Sequence, residues 1–229
     1  MAKKTTKPAI KEPQVNIEEA ISRSETFFQN NKNTIFTVFS AIIVLIVGIM
    51  LYKSKVVAPR ENRVAEYLFQ GENYFINGEF ELALEGDAYD FLGFIEIADN
   101  YSNTNAGNLA KAYAGISFAK LDSFDIAIKY LSKFKGKDQM VAPSVLGALA
   151  DCYASTNQPI KAAETFKKAA KVANNNLLSP YFLFQAGLVY ESMEKTKKAI
   201  DMFNRIKNEY PSSLQAADIE KYLIRLSNR

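Results

Sequence analysis

The sequence LADCY at 149–153 and the sequence AGLVY at 186–190 open two copies of one pattern. In each copy a small residue is followed at the same distances by a second small residue and a phenylalanine: Ala150, Ala162 and Phe166, then Gly187, Ala199 and Phe203. Positions three or four apart share one face of a helix, so a small residue lets a second helix approach beside the aromatic ring. The pattern predicts helix–turn–helix units that pack closely at their small residues.

The period of this pattern is typical of tetratricopeptide repeats, which stack because each helical pair leaves one apolar face uncovered. Two weaker copies precede it, with Gly115 before Phe118 and Gly71 before Tyr74. An ordinary alanine-rich helical bundle is the alternative, although two copies in phase rarely arise by chance. We therefore expect an all-α solenoid of about four helical hairpins over residues 65–229.

Two segments interrupt the repeat. In the first copy the pattern departs after Ala83, and its phase returns at Phe94 if Glu85–Asp90 is an insertion. We expect this insertion to bulge as a loop or to break the second helix of the hairpin. The asparagines at 174–176 lengthen the connection between the last two copies. Both interruptions fall between helical segments and are compatible with a continuous solenoid.

The end of the solenoid is marked by Pro211, which stops the last repeat helix, and by Ser212 or Ser213, either of which can cap a new helix. Apolar residues then recur at helical spacing, while Lys221 and Arg225 lie off the stripe and are expected in water. This pattern predicts a C-terminal capping helix whose outer face keeps the solenoid soluble.

The stretch from Ile35 to Tyr52 contains no charged residue. As a helix it would span ~27 Å, close to the ~30 Å hydrocarbon core of a bilayer. A cleaved signal peptide is the main alternative, but the stretch begins late and lacks a clear cleavage site before Lys53. A buried core helix is the second alternative to a transmembrane helix. We expect a transmembrane helix at 34–52, followed by a linker or helix extension at 53–64.

The segment before the span divides in two. Residues 1–15 are basic, and we expect them to be disordered. An amphipathic pre-membrane helix is predicted over 16–33, because Asn16 and Glu19 have the spacing of a capping box. Its apolar stripe includes Ile17, Ile21, Phe27 and Phe28. The stripe either docks on a membrane-embedded partner or rests on the bilayer surface.

Basic residues around the span do not decide its orientation. The C-terminal side carries more of them close to the span: Lys53, Lys55, Arg60 and Arg63, against Arg23 and Lys32. This local excess favours a cytoplasmic C-terminal domain. The whole N-terminal tail adds a further group: Lys3, Lys4, Lys7 and Lys11. When the tail is counted, the N-terminal side carries more basic residues than the C-terminal side, which favours a cytoplasmic N-terminus instead.

The N-terminal layout resembles that of a known family. The segment IEEAI at 17–21, the segment FFQNN at 27–31, the span and the degenerate repeats are together similar to the ancillary Sec translocon subunit family. The resemblance implies a bacterial inner-membrane protein with a cytoplasmic N-terminus and a periplasmic solenoid. It also implies contact with Sec channel subunits and with a periplasmic chaperone or translocating polypeptide. The alternative function is a scaffold for envelope assembly or cell division.

The first helix of each hairpin lines the inner surface of such a solenoid and is the expected place for protein binding. Counting from the motif aromatic residues gives these inner positions: Leu68, Glu72, Phe75, Leu109, Ala112, Ile116, Gly147, Asp151, Tyr181, Phe184 and Leu188. If exposed, the aromatic residues among them could hold an unfolded segment or a partner helix. The alternative is that neighbouring helices bury several of them.

The composition offers little for catalysis. There is no histidine and one cysteine, Cys152, which is expected to be a small buried residue. No phosphate-binding loop occurs, and the net charge of +3 comes without a compact basic and aromatic patch. We expect a protein that is not an enzyme and binds no cofactor, metal, nucleic acid or small-molecule substrate.

Overall fold

The computed structural model describes the backbone of residues 17–87 and 91–228 and the side chains from Gln29 onward within these ranges. All regular secondary structure in this described part is helical, which confirms the predicted all-α fold. The basic tail at 1–15 and the capping residue Asn16 lie outside it. The chain divides into two compact units, Met1–Val56 and Val57–Arg229.

From residue 17 onward, the first unit consists of one long helix. Helix α1 runs Ile17–Tyr52, and a short π-helical segment, Lys53–Val57, follows it. Its large apolar side chains from Phe36 to Tyr52 are exposed; Val44, for example, is 70% exposed. The helix is long and apolar enough to cross a bilayer, a property that a signal sequence near the N-terminus would share.

The second unit consists of paired helices. They are α2 (Ala58–Ile76), α3 (Phe80–Glu85), α4 (Gly93–Asn100), α5 (Asn105–Lys120), α6 (Phe124–Leu131), α7 (Val141–Ser155), α8 (Pro159–Ala173), α9 (Leu178–Ser192), α10 (Thr196–Glu209) and α11 (Leu214–Ser227). Helices α2, α5, α7 and α9 are the first helices of four hairpins. The second helix of the first hairpin is formed by α3 and α4 together. The second helices of the other three hairpins are α6, α8 and α10. Helix α11 closes the series.

The small residues of the sequence pattern lie at the helix contacts. The matching alanine of each second helix is fully buried: Ala83, Ala127, Ala162 and Ala199. At Gly187 a β-carbon would lie 2.3 Å from Cε1 of Phe203. Because this distance is far below van der Waals contact, only glycine allows α9 and α10 to pack this closely at that position. The spacing deduced from the sequence therefore gives the correct phase of the helices.

The second helix of the first hairpin is broken, as the inserted segment suggested. Helix α3 ends at Glu85 and α4 begins at Gly93, and Gly86 directly after α3 has a φ of 91°, in a region that favours glycine. The Asp87 side chain accepts hydrogen bonds from the Tyr74 hydroxyl (2.8 Å) and from the backbone N–H of Phe91 (3.0 Å), and so connects this region to α2.

The capping helix forms as predicted. The Ser213 hydroxyl accepts a hydrogen bond from the Ala216 N–H (3.2 Å) at the start of α11. Arg225 is exposed, as expected, and also forms an ion pair with Glu191 on α9 (2.6 Å) and lies over the Tyr222 ring. It faces the preceding hairpin because α11 packs against both α9 and α10.

Candidate protein-binding surfaces

Several predicted inner positions are buried. Leu68 is 7% exposed and Ala112 is 3% exposed, and Gly147 is also buried. The reason is that first helices of successive hairpins contact one another, α2 with α5, α5 with α7 and α7 with α9. Side chains directed at the neighbouring first helix are therefore covered. Leu68, Ala112 and Gly147 belong to the core, and their assignment to an exposed groove was wrong.

Other inner positions are half-buried within aromatic and aliphatic clusters. Phe75 packs edge-on against Phe80 (ring centroids 5.6 Å apart) and Tyr113 (5.1 Å). Leu109 and Ile116 on α5 pack against the core clusters beside them. These side chains hold α2 and α5 together more than they offer a free surface.

Glu72 lies at the edge of this packed region. Burial, together with the neighbouring Glu72 carboxylate, raises the pKa of Tyr113 to about 12. The two residues therefore link α2 to α5 through a carboxylate and a neutral phenol. Glu72 is half-buried and can still be reached from the surface.

The last hairpin is covered by the capping helix. Phe184 contacts the rings of Tyr222 (5.0 Å) and Phe203 (5.8 Å), so it is partly buried in an aromatic cluster. Leu188 is half-buried and lines a small pocket with Glu191 and Arg225. The sequence pattern predicts helix α11 and its apolar side, but it does not show which part of the preceding hairpin α11 covers.

Tyr181 and Asp151 remain open to solvent among the predicted inner positions. Tyr181 is 41% exposed, with its ring edge against Phe182. Asp151 is exposed on α7, yet nearby protein atoms remove part of its hydration and raise the pKa of its carboxyl. An exposed aromatic ring and an exposed carboxylate are both suited to contact with a partner chain.

The predicted membrane-side docking residues lie on one helix. Ile17, Ile21, Phe27 and Phe28 all belong to α1, and their spacing puts them within its N-terminal part. Their side chains lie outside the described part of the structure.

A second surface was missed from the sequence. A groove of about 770 Å³ lies between the end of α6, α7 and α8. Its floor is formed by apolar side chains: Leu131, Phe134, Val145, Leu146, Leu149 and Val172. The groove exists because α6 ends after 8 residues, whereas α8 and α10 have 15 and 14. The missing turns of α6 leave the flank of α8 uncovered.

Lysines border this groove, which we call the lysine-rimmed groove. Lys135, Lys137 and Lys168 lie on its edge. Lys135 also lines an adjoining pocket with Lys111 and Lys133. Burial, and then the charges of Lys135 and Lys133, lower the pKa of Lys111. This face of the protein is therefore basic, with an apolar centre.

A local sequence signal for this groove does exist. The segment KFKGKD at 133–138 places lysines at alternate positions around Phe134 and includes Gly136 and Asp138, which favour turns. The weaker copy that includes Gly115 and Phe118 continues at the repeat spacing to Ala127, Leu131 and Phe134, which predicts Phe134 on the second helix. In the structure α6 has already ended, and Phe134 lies in the loop.

Comparison with known proteins identifies the repeats. Residues 143–176 and 181–213 each match a tetratricopeptide repeat family. These are the hairpins α7–α8 and α9–α10, the same two copies that the sequence pattern defines. No curated protein matches the chain.

Solved structures show the same fold. The chain is similar to a protein of Podosopora anserina described as a kinesin light chain with nearly identical TPR-like repeats, and to a substituted variant of it. Both have a TM-score of 0.53 and 12% identity, and cover 73% of this chain. The matches cover 87% of that protein and 86% of its variant. The second unit therefore carries tetratricopeptide-type repeats, a fold that typically serves as a non-enzymatic scaffold for protein–protein interaction.

Proposed function

We propose that this chain is a membrane-anchored protein-interaction scaffold of the bacterial inner membrane. The observation that carries the proposal is the combination of two tetratricopeptide repeats with one exposed apolar helix of membrane-spanning length in the same chain. In this arrangement α1 crosses the bilayer once, and the repeat solenoid binds proteins close to the membrane. An exposed apolar helix is otherwise costly in water, which favours a lipid environment for it.

The partner we propose is the Sec translocon. The support is the resemblance of residues 17–31 to the ancillary subunits of that channel, together with the order of helix, span and solenoid. In this proposal Ile17, Ile21, Phe27 and Phe28 contact a channel subunit. The solenoid faces the periplasm, where Tyr181 and Asp151 contribute to contact with a chaperone or an emerging polypeptide.

Co-purification tests this function. The tagged full-length chain is solubilised from membranes in a mild detergent, and bound proteins are identified by mass spectrometry. Sec channel subunits are expected to be enriched over a tag-only control. Replacing Phe27 and Phe28 with serine should remove them, while the matched replacement of Ser22 and Gln29 with alanine should retain them.

Two results would contradict the proposal. Recovery of cell-wall synthases or outer-membrane factors in place of channel subunits would favour the envelope-assembly alternative. Extraction of the chain from membranes by alkaline carbonate would contradict the membrane anchor itself.

A further inference from the structure

We propose that the lysine-rimmed groove binds a short segment of a partner protein that is both acidic and apolar. The inference rests on the scaffold role proposed above but concerns a different surface. The inner surface is built from first helices, whereas this groove lies between the second helices α6 and α8, over α7. Its occupant would therefore bind independently of anything held by Tyr181 or Asp151.

The walls of the groove are held in place by hydrogen bonds. The Asn108 side chain donates to the Lys135 carbonyl (2.7 Å) and accepts from the Lys135 N–H (3.0 Å), which ties the loop after α6 to α5. Asn175 donates to the Gln139 carbonyl (3.1 Å) and ties the other end of the loop to the start of α9. A groove fixed in this way requires little ordering on binding.

The carboxylates near the groove already have partners. Asp138 accepts hydrogen bonds from the N–H groups of Met140 (2.9 Å), Val141 and Ala142 and so caps α7. Asp99 accepts a hydrogen bond from the Tyr130 hydroxyl (3.3 Å). The exposed lysines of the rim, Lys135, Lys137 and Lys168, are thus available to an incoming anionic group, and the repulsion among neighbouring lysines favours one.

The shape of the groove favours a peptide over a bilayer. Leu131, Val145 and Leu149 are 2%, 3% and 7% exposed, so the floor is recessed below the lysines. Insertion of this face into a bilayer would need apolar side chains that project outward, whereas the side chains of a peptide can enter a recess. A volume of about 770 Å³ accommodates several apolar side chains. The chain's own N-terminal tail is basic, and the lysines would repel it.

A binding assay with a defined probe tests this proposal. The probe is a fluorescent synthetic helical peptide with leucine or phenylalanine at positions i, i+3, i+4 and i+7 and glutamate elsewhere. The control peptide has lysine in place of every glutamate. Fluorescence anisotropy is measured with the full-length chain in detergent micelles. The acidic peptide is expected to bind, with an affinity that falls as sodium chloride is added, and the basic peptide is expected not to bind.

Charge-reversal variants locate the binding site. The double variant Lys137→Glu/Lys168→Glu should weaken binding of the acidic peptide by about tenfold or more, because both charges lie on the rim. Lys197→Glu/Lys221→Glu makes the same change in net charge at exposed positions of α10 and α11 and should leave the affinity within about twofold. Circular dichroism confirms that both variants remain folded.

Four outcomes would overturn the proposal. Equal binding of the acidic and basic peptides, or equal loss in both variants, would show that the groove does not select an acidic segment. Binding of phosphatidylglycerol vesicles that depends on Lys137 and Lys168, without peptide binding, would assign the groove to lipid. Self-association that the rim variant abolishes would make the occupant a second copy. Loss of Sec subunits from the co-purification would contradict the proposed function and leave this result unaffected.

Discussion

At the scale of single residues, close contacts between helices depend on residues with a very small side chain or none. A β-carbon added to Gly187 would lie 2.3 Å from the Phe203 ring, and Phe203 is fully buried. A buried ring cannot move aside without disturbing the residues around it. The small residue of each hairpin therefore determines how closely its two helices approach.

Replacing Gly187 with leucine should destabilise the fold severely. Overpacking at a buried contact typically costs about 1–3 kcal/mol, and here the ring of Phe203 leaves no room even for a methyl group. The measurement is the melting temperature by circular dichroism. Ala154→Leu, which adds the same side chain at an exposed position of α7, should change it little. An unchanged melting temperature for Gly187→Leu would mean that the helices pair in another phase.

The negative charge of Asp151, on the inner surface, should reduce the stability of the folded protein. The pKa of Asp151 is raised in the folded protein because its carboxyl is partly desolvated. The folded state therefore holds this proton more tightly than the unfolded chain. Stability falls as the pH rises from the ordinary aspartate pKa through the raised one, and the deficit is complete at neutral pH.

Asp151→Asn should therefore raise the melting temperature at pH 7. The gain should disappear at a pH low enough to protonate aspartate in both states, since both side chains are then neutral. Asp122→Asn, in an exposed turn with a positive φ that asparagine tolerates, serves as the control for loss of one charge. A gain that persists in strong acid would show that desolvation of the carboxylate is not the cause.

At the scale of elements, hairpins are joined by specific polar contacts as well as by apolar packing. Glu61 on α2 accepts hydrogen bonds from the N–H groups of Asn105 (2.7 Å) and Ala106 (2.8 Å), at the start of α5. A carboxylate at a helix N-terminus satisfies free donors and interacts favourably with the helix dipole. Within α5 itself, the Thr104 hydroxyl accepts from the Gly107 N–H (2.9 Å).

Glu61→Ala should lower the free energy of unfolding by about 1 kcal/mol, because it removes a charged cap from α5. Urea denaturation followed by circular dichroism measures the loss. Glu66→Ala, at an exposed position of the same helix, should have an effect within about 0.5 kcal/mol. Equal effects of the two substitutions would mean that the contact between Glu61 and α5 contributes nothing to stability.

The elements also show how far the sequence predicts the fold and the surfaces. The spacing of Ala150, Ala162 and Phe166 predicted the hairpins, because every repeat meets the same packing requirement. The break between α3 and α4 is one of the two outcomes expected for the insertion, which shifts the phase of the repeat. The sequence left open whether Leu68 is exposed or buried, because its burial depends on how neighbouring first helices pack. The lysine-rimmed groove was missed because it arises from helix turns that α6 lacks.

At the scale of the whole molecule, the second unit has its own core. Its buried residues extend from Val64 on α2 to Leu226 on α11, and the capping helix covers the last hairpin. The unit has about the size of an ordinary single domain, which is large enough to bury a stable core. The anchor and the repeat solenoid are therefore expected to fold separately.

A fragment of residues 58–229 should fold alone and give a helical circular-dichroism spectrum with a cooperative melt. A matched fragment that starts at Ala65 lacks both Glu61, which caps α5, and Val64, which is fully buried. The shorter fragment should therefore melt at a lower temperature. A spectrum rich in strand, or the absence of a melt for the longer fragment, would contradict an independent helical domain.

Protease accessibility tests the central claim of an anchored scaffold that faces outward. Protease is added to intact spheroplasts that express the chain with an N-terminal epitope tag. The proposal predicts digestion of the repeat solenoid from outside, with a small tagged fragment that contains α1 left in the membrane. Complete protection until the inner membrane is broken would place the solenoid in the cytoplasm. Recovery of the intact chain in the soluble fraction would contradict the membrane anchor.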